Sequence, residues 1–346
     1  MRILAIGPLW RGSNAGGLFR ALSRQGCIIE IIDEFYYVSL RSRDKLTKIA
    51  ERLLRNRQVK EFNNTISASI QLFKPDILFV YKGAFVLPET ILFAKEKSIN
   101  VALFYPDVSM EAHGGNIPKS IPLYEQVFTT KTFGINDLKN NFNQNNATFI
   151  PHGFDPEIHR KINITDKDHS IFDCDASFIG TWSPKKELLL TELKKSLPDI
   201  NLKIWGGRWG AISNPILQSS IQKTEVLGDL YTIAIQCSKI NLGILSEKVT
   251  GASSGDLITS RTFHIPGSSG FMLHERNEES VLYFDENKEA AFFEGAVELI
   301  SKVQYYLEHE NERLQIGEGG YLRALKDHSL DSRALVIIGK FQRLIK

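Results

Sequence analysis

Short apolar runs that stop at glycine recur through this chain, and stretches of helical periodicity separate them. R-I-L-A-I-G (Arg2–Gly7) opens the pattern and K-P-D-I-L-F-V-Y-K-G (Lys74–Gly83) repeats it. D-A-S-F-I-G (Asp175–Gly180) and N-L-K-I-W-G-G (Asn201–Gly207) renew it in the second half. A short, unalternated apolar run suits a strand buried on both faces, and such strands belong to parallel sheets covered by helices. Strand, glycine loop and helix in that order form the unit of nucleotide-binding α/β domains.

A chain of 346 residues suits two such domains. The pattern loses its period between Pro151 and Asp168, which reads as the interdomain linker. The expected division is residues 1–160 as an N-terminal Rossmann-like, acceptor-side domain and 161–327 as a C-terminal nucleotide-binding one. Residues 328–346 form a helix returning to the first. The fold class expected is α/β, two Rossmann-like domains facing each other across a cleft. Within the second domain Val281–Phe284 reads as a short strand, and the run from Ala290 to Leu307 as one amphipathic helix.

Composition excludes several classes. The formal net charge is +2, from 42 basic and 40 acidic residues, so no global field recruits nucleic acid. Three dispersed cysteines (Cys27, Cys174, Cys237) without a C-x-x-C pattern argue for a reducing compartment and against a zinc site. Met1 leads directly into an apolar strand, and no apolar run approaches the roughly 20 residues of a membrane span. A cytoplasmic location is expected. The basic stretch Arg41–Lys60 reads as a solvated helix face, with a surface that approaches anionic lipid or an acidic acceptor as the alternative.

Chemistry concentrates between Asp256 and Arg276: one arginine (Arg261), hydroxyls at Thr259, Ser260, Thr262 and Ser268, and glycines at Gly267 and Gly270. Freed amides, hydroxyls and a guanidinium fork are the groups that hold a diphosphate. Gly180, Thr181 and Trp182 precede Lys185 and Lys186 at a helix start, adding positive charge there. Gly206 and Gly207 let the backbone approach a ligand, while Trp205 or Trp209 stacks on a base or fills the core. In the first half, the loops Gly12–Gly17, Lys82–Gly83 and Asp107–Asn116 are expected at one sheet edge. Asp107 and His113 are the titratable candidates there. The first loop is not G-x-G-x-x-G, so a nicotinamide enzyme is disfavoured.

The run R-T-F-H-I-P-G-S-S-G-F-M-L (Arg261–Leu273) is followed by Y-F-D-E-N-K-E, V-E-L-I-S-K-V-Q-Y-Y-L-E-H-E-N-E-R and I-G-E-G-G-Y-L-R-A-L-K-D-H-S-L-D-S-R. Together they resemble the C-terminal half of the CgeB-like glycosyltransferases, relatives of the retaining, metal-independent GT-B sugar transferases. F-I-G-T-W-S-P-K-K-E, Y-K-G and P-H-G-F-D-P extend the resemblance over most of the chain.

The resemblance implies a hexosyltransferase-like enzyme of polysaccharide or glycoconjugate synthesis. It would take a nucleoside-diphosphate sugar as donor, a saccharide or glycoconjugate as acceptor, and no cofactor or metal. Arg261 and Lys186 then match cations that neutralise the leaving diphosphate, with His113 or Asp107 assisting at the sugar. Gly12, Gly16 and Gly17 would lie across from the diphosphate, and Val226–Leu227 would hold the base through backbone groups. His264 stands where the family has a glutamate for the ribose hydroxyls, with Glu275 or Glu289 as substitutes. That departure admits a non-catalytic nucleotide- or sugar-binding protein on the same fold, and a nucleotide-sugar epimerase is the third reading. Asp173-Cys174-Asp175 resembles the D-x-D metal motif of the other large transferase fold, but its place before a strand reads as a turn.

Overall fold

The computed structural model describes residues 1–38 and 45–345, which divide into two compact units. The first unit comprises Met1–Pro151, Lys248–Ser254 and Asp331–Lys346; the second comprises His152–Glu247 and Gly255–Leu330.

In the first unit the strands are β1 (Arg2–Gly7), β2 (Ile28–Asp33), β3 (Ile77–Tyr81), β4 (Asn100–Tyr105), β5 (Gln126–Thr129) and β6 (Ala147–Phe149). Among the described residues α1 (Asn14–Arg24), α2 (Glu34–Tyr37), α3 (Lys45–Phe73), α4 (Pro88–Glu96), α5 (Asn116–Ser120) and α6 (Gly134–Phe142) fall between them. All neighbouring strands pair in parallel, in the order β2-β1-β3-β4-β5-β6. The apolar runs are fully buried because both sheet faces carry helices: Ile3, Leu4, Ala5 and Ile6 have no exposed surface.

The second unit contains α7 (Asp166–Phe172), β7 (Cys174–Ile179), α8 (Pro184–Ser196), β8 (Leu202–Trp205), α9 (Asp229–Gln236) and β9 (Ser238–Gly243). It continues through α10 (Ser260–Gly267), β10 (Met272–Glu275), β11 (Ala291–Phe293), α11 (Gly295–Glu308) and α12 (Glu310–Asp327). Its sheet is also wholly parallel, ordered β11-β10-β9-β7-β8. The last helix, α13 (Leu330–Leu344), packs into the first unit: Phe341 meets Phe79 and Phe128 at centroid distances of 5.2 and 5.8 Å.

Both sheets therefore share one topology. The strand order changes direction between β1 and β3 in one and between β7 and β9 in the other. Loops leaving the carboxyl ends of such a pair diverge to opposite faces and leave a crevice, where ligands of open α/β sheets bind.

Two local readings are corrected. Val281–Phe284 holds a 3-10 turn at Ser280–Leu282, not a strand. The strand is Ala291–Phe293, which the sequence pattern places at the start of a helix. Its three side chains are completely buried, and Gly295, at φ 67°, turns the chain into α11 as that helix's first residue. The stretch Pro151–Asp168, read as the linker, starts at the boundary between the units and is itself packed. Phe154 and Ile158 are buried, and the Phe154 amide donates to the His328 carbonyl while its own carbonyl accepts from Leu330.

Of the basic stretch, Arg41–Asp44 lies outside the described residues and the remainder is helical. No described helix is long and apolar enough to cross a membrane.

Candidate functional site

The second unit's site is built at the carboxyl ends of β7 and β9. Beyond Ile179 the chain turns at Gly180, where an added Cβ would stand 2.6 Å from the Arg261 guanidinium and 3.0 Å from the Phe178 ring. Only glycine lets the arginine lie against the strand end. Gly206 is constrained twice, by φ of 127° and by a Cβ position 2.3 Å from the Gly180 carbonyl oxygen. Trp209 Nε1 donates to the same carbonyl at 2.8 Å, so the loops after β7 and β8 interlock.

Arg261 sits in the first turn of α10, and a chain of hydrogen bonds sets where that turn lies. The Thr259 amide donates to Thr262 Oγ1 at 3.1 Å. The Thr262 hydroxyl lies 2.9 Å from His274 Nε2, and His274 Nδ1 lies 2.7 Å from the Glu275 carbonyl. A carbonyl can only accept, so Nδ1 carries the proton and Nε2 accepts from the threonine. Burial pushes the fully enclosed His274 down to about 4, which keeps this neutral tautomer at physiological pH. The first turn of α10 is thereby fixed to the end of β10.

So held, the guanidinium spans the topological crevice. Its Nη2 donates to the Ile244 carbonyl at 2.8 Å and Nη1 approaches the Ile179 carbonyl at 3.5 Å. Nε is buried without a hydrogen-bond partner. Lys186, 3% exposed, donates from Nζ to Ser246 Oγ at 2.8 Å and to the Thr181 carbonyl at 3.1 Å. Both cations are thus hydrogen-bonded to neutral oxygens. Burial, with the nearby Arg261 charge second, pulls the Lys186 ammonium down to about 8. Two desolvated cations, one of them in the first turn of α8 and the other in the first turn of α10, are suited to an anion.

Lys185 takes a different part. Its ammonium pairs with Glu275, and its amide donates to Glu247 Oε1 at 2.7 Å. Glu275 also accepts from the Leu245 amide at 3.0 Å, so it is tied into the carboxyl edge. Glu247, Ser246 and Glu275 are site neighbours that local sequence reading missed or ranked low. Their loops follow strands remote in the chain from Lys185, and no spacing links them.

Several expected site residues have other roles. Trp205 is 3% exposed and packs with Phe172 and Val226, while Trp209 is 1% exposed, so both are core residues and not stacking platforms. Trp182 is half-buried, its Nε1 donating to Glu187 Oε2 at 2.7 Å. Thr262 is fully buried and spends its hydroxyl on the α10 turn. Ser268 and Gly270 fall at the far end of α10, about 12 Å along its axis from the first turn. Ser268 is completely buried, and a Cβ on Gly270 would meet Ile235 at 2.4 Å. Leu227 is exposed, whereas the Val226 side chain joins the core. Glu289 Oε2 accepts the Asp285 amide at 2.9 Å, in the turn before β11.

His264 is 6% exposed and stacks on His159, with ring centroids 3.9 Å apart. Its Nε2 is buried without a partner. Burial first, and His159 second, hold its pKa well below the ordinary imidazole range, so the ring is neutral. It is an uncharged packing group, not the hydrogen-bonding acid that the resemblance implies at this position.

In the first unit the carboxyl edge gathers a second cluster. Asp107 Oδ2 pairs with Lys82 Nζ at 2.8 Å and with His113 Nε2 at 3.0 Å. Burial works against the carboxylate, but the His113 hydrogen bond and the Lys82 charge outweigh it and hold Asp107 well below the usual range. Lys82 adopts φ of 67°, a left-handed conformation for a side-chain-bearing residue at the β3 exit.

Glu34, 5% exposed, was not legible as a candidate. Burial raises its carboxyl to about 7 against the opposing Lys82 charge. His113 also borders a cavity of about 930 Å³ whose lining includes Arg55, Asn64, Phe85, Phe93 and Asn116. Gly12 has φ of 85°, but Gly16 and Gly17 lie inside α1, not in a loop. Their amides are taken by Ser13, Gly16 by its Oγ at 3.0 Å and Gly17 by its carbonyl at 3.0 Å.

Comparison with known proteins agrees with this two-sheet architecture. A family described as glycosyl transferase-like matches residues 185–339. A glycosyltransferase from Rickettsia africae superposes with a TM-score of 0.66 at 14% identity, covering 100% of this chain and 98% of the other. Sucrose-phosphate synthase from Thermosynechococcus elongatus gives 0.68 at 10% identity, with 99% of each chain covered. HepE of Anabaena, solved with UDP-glucose, gives 0.65 at 9% identity, covering 99% of this chain and all of the other. No curated protein matches by sequence. The fold is that of the GT-B glycosyltransferases.

Proposed function

We infer that the protein is a glycosyltransferase that moves a sugar from a nucleoside-diphosphate donor to a saccharide or glycoconjugate hydroxyl. The observation that carries this reading is the pairing of Lys186 and Arg261 at the β7–β9 crevice, hydrogen-bonded to neutral oxygens. A diphosphate matches two such cations in charge and in hydrogen-bonding capacity.

In the proposed reaction the bond between the anomeric carbon and the β-phosphate oxygen breaks as the acceptor oxygen bonds to that carbon. The acceptor proton passes to the departing diphosphate, and Lys186 and Arg261 stabilise the charge that develops there. Retention and independence from metal belong to the same proposal. They are supported by the resemblance of the Arg261–Leu273 run and by cations sufficient to do a divalent ion's electrostatic work.

The acceptor is assigned to the first unit, where the cavity beside His113 combines amide, cationic and aromatic groups suited to a sugar's polar edge and apolar face. Asp107 holds His113 there. In the described part of the basic stretch, Arg52, Leu53, Leu54, Arg57 and Lys60 are exposed. That mixture suits peripheral contact with a membrane carrying a glycolipid acceptor.

Incubation with UDP-, GDP-, TDP- and ADP-sugars and a panel of saccharides tests the reading; UDP-glucose is the first donor to try, given the HepE complex. Release of nucleoside diphosphate with a glycosylated product is expected. A second reading, binding without turnover, is favoured by the neutral His264. Nucleotide-induced thermal stabilisation with no product from any donor would establish it in place of the first.

A further inference from the structure

We propose that the second unit carries a zinc site, formed by His169, Asp173 and Cys237, at the amino-terminal edge of its sheet. His169 lies on α7 and Asp173 caps that helix one turn later; Cys237 caps α9, from a distant part of the chain. One donor atom from each lies within 4.8 Å of the others. His169 Nδ1 stands 2.8 Å from Asp173 Oδ1, and the Cys237 sulfur lies within 4.8 Å of the other two ligand atoms. Ligands at about 2.0–2.3 Å around a tetrahedral zinc stand somewhat over 3 Å apart, so small side-chain rotations accommodate the ion.

The donor set selects the metal. Imidazole nitrogen, carboxylate oxygen and thiolate sulfur together suit a borderline ion such as zinc, and not the all-oxygen preference of magnesium or calcium. Access and protection are both provided. His169 and Asp173 are exposed while Cys237 is 7% exposed. All three border a cavity of about 510 Å³, into which a fourth, water ligand would project.

The site lies at the opposite edge of the sheet from Lys186 and Arg261, because Cys174 and Ser238 begin the strands whose other ends carry the anion site. The ion would therefore bridge α7 and α9, away from the cations assigned to the donor. Asp173 belongs to the D-C-D run, but its companion Asp175 is committed elsewhere, to Lys239 and the Asn201 amide. Cysteine spacing in the sequence argued against zinc because the three ligands come from two helix ends separated by more than sixty positions.

Cobalt substitution tests the assignment. The intact protein, stripped with chelator and titrated with Co²⁺, is expected to bind one equivalent and to show a thiolate-to-cobalt charge-transfer band with tetrahedral visible bands. Zn²⁺ should displace it and raise the thermal midpoint. Cys237→Ser should abolish the charge-transfer band, and His169→Ala should weaken affinity by roughly tenfold or more. Cys174→Ser is the internal control: its thiol neighbours the site but is engaged with Ser238 Oγ at 3.2 Å, so the band should persist. If Cys237→Ser fails to fold, the exposed His169→Ala carries the test alone. Absence of a sulfur band, or a band unaffected by His169→Ala, overturns the site.

Discussion

Lys186 Nζ and the Arg261 guanidinium both stand against the ring of Phe178, at 5.9 and 5.1 Å from its centroid. Two like charges held out of water repel each other, and the aromatic quadrupole offsets only part of the cost. A bound diphosphate would relieve the remainder. The proposed ligand would thus be favoured energetically as well as by position.

The first prediction concerns pH. With the Lys186 pKa lowered to about 8, the free protein loses that charge as pH rises through this value. kcat/KM for the nucleotide sugar should fall on the alkaline side near pH 8. Lys186→Arg, which keeps its charge, should move that limb to higher pH. An unshifted limb in the arginine variant would assign the titration to another group.

Removal of the second cation reads out leaving-group stabilisation. Arg261→Ala should lower kcat by at least about tenfold, with a smaller change in KM, since the charge develops mainly in the transition state. Single-turnover measurement under saturating donor separates the two, and undiminished turnover rules out the role.

Glu34 gives a stability signature. Its carboxyl is raised from 4.5 to about 7, first by burial, so the unfolded chain ionises it more readily. Between those values the folded state binds more protons, and stability falls as pH rises. Glu34→Gln should therefore gain about 3 kcal/mol at pH 8 and nothing near pH 4. Paired denaturant titrations at the two pH values check the sign.

Asn63 is a buried hub under the first unit's cavity. Its amide nitrogen donates to the Val59 and Phe85 carbonyls, and its oxygen accepts from the Leu87 amide and the Thr90 hydroxyl. Asn63→Ala strands these groups and should cost about 2–3 kcal/mol. Asn63→Asp, which keeps the acceptor and loses the donors, should also destabilise. Equilibrium unfolding compares them.

His264→Ala removes the ring stacked on His159 and leaves a hole beneath α10. It should cost about 2 kcal/mol and displace the first turn that carries Arg261. Because the imidazole is neutral throughout the physiological range, no pH dependence of binding should disappear with it. Donor binding measured calorimetrically at pH 6 and 8 checks this second part.

Much of the architecture was legible because the relevant signals are local. Arg2–Gly7 and Ile77–Tyr81 are apolar runs that only a twice-covered strand can bury, and glycine marks their exits. Ala291–Phe293 was misread because three apolar residues abutting an amphipathic helix extend its pattern without a break. Trp205 was misjudged for a related reason: an aromatic beside two glycines looks like a ligand platform until the packing of Phe172 is known.

The sequence by itself determined the alternation of strand and helix, hence two parallel sheets, and the chemical character of the run from Asp256 to Arg276. Tertiary structure alone decided which groups meet. Strand order placed β9 beside β7, and only that neighbourhood brings the Ile179 and Ile244 carbonyls to one guanidinium. It likewise brought Cys237 to His169 and Asp107 to Lys82. Periodicity reports which face a residue buries, a property of a few neighbours along the chain. Pairing between strands and helix ends is set by burial summed over the whole sheet, and no single stretch encodes it.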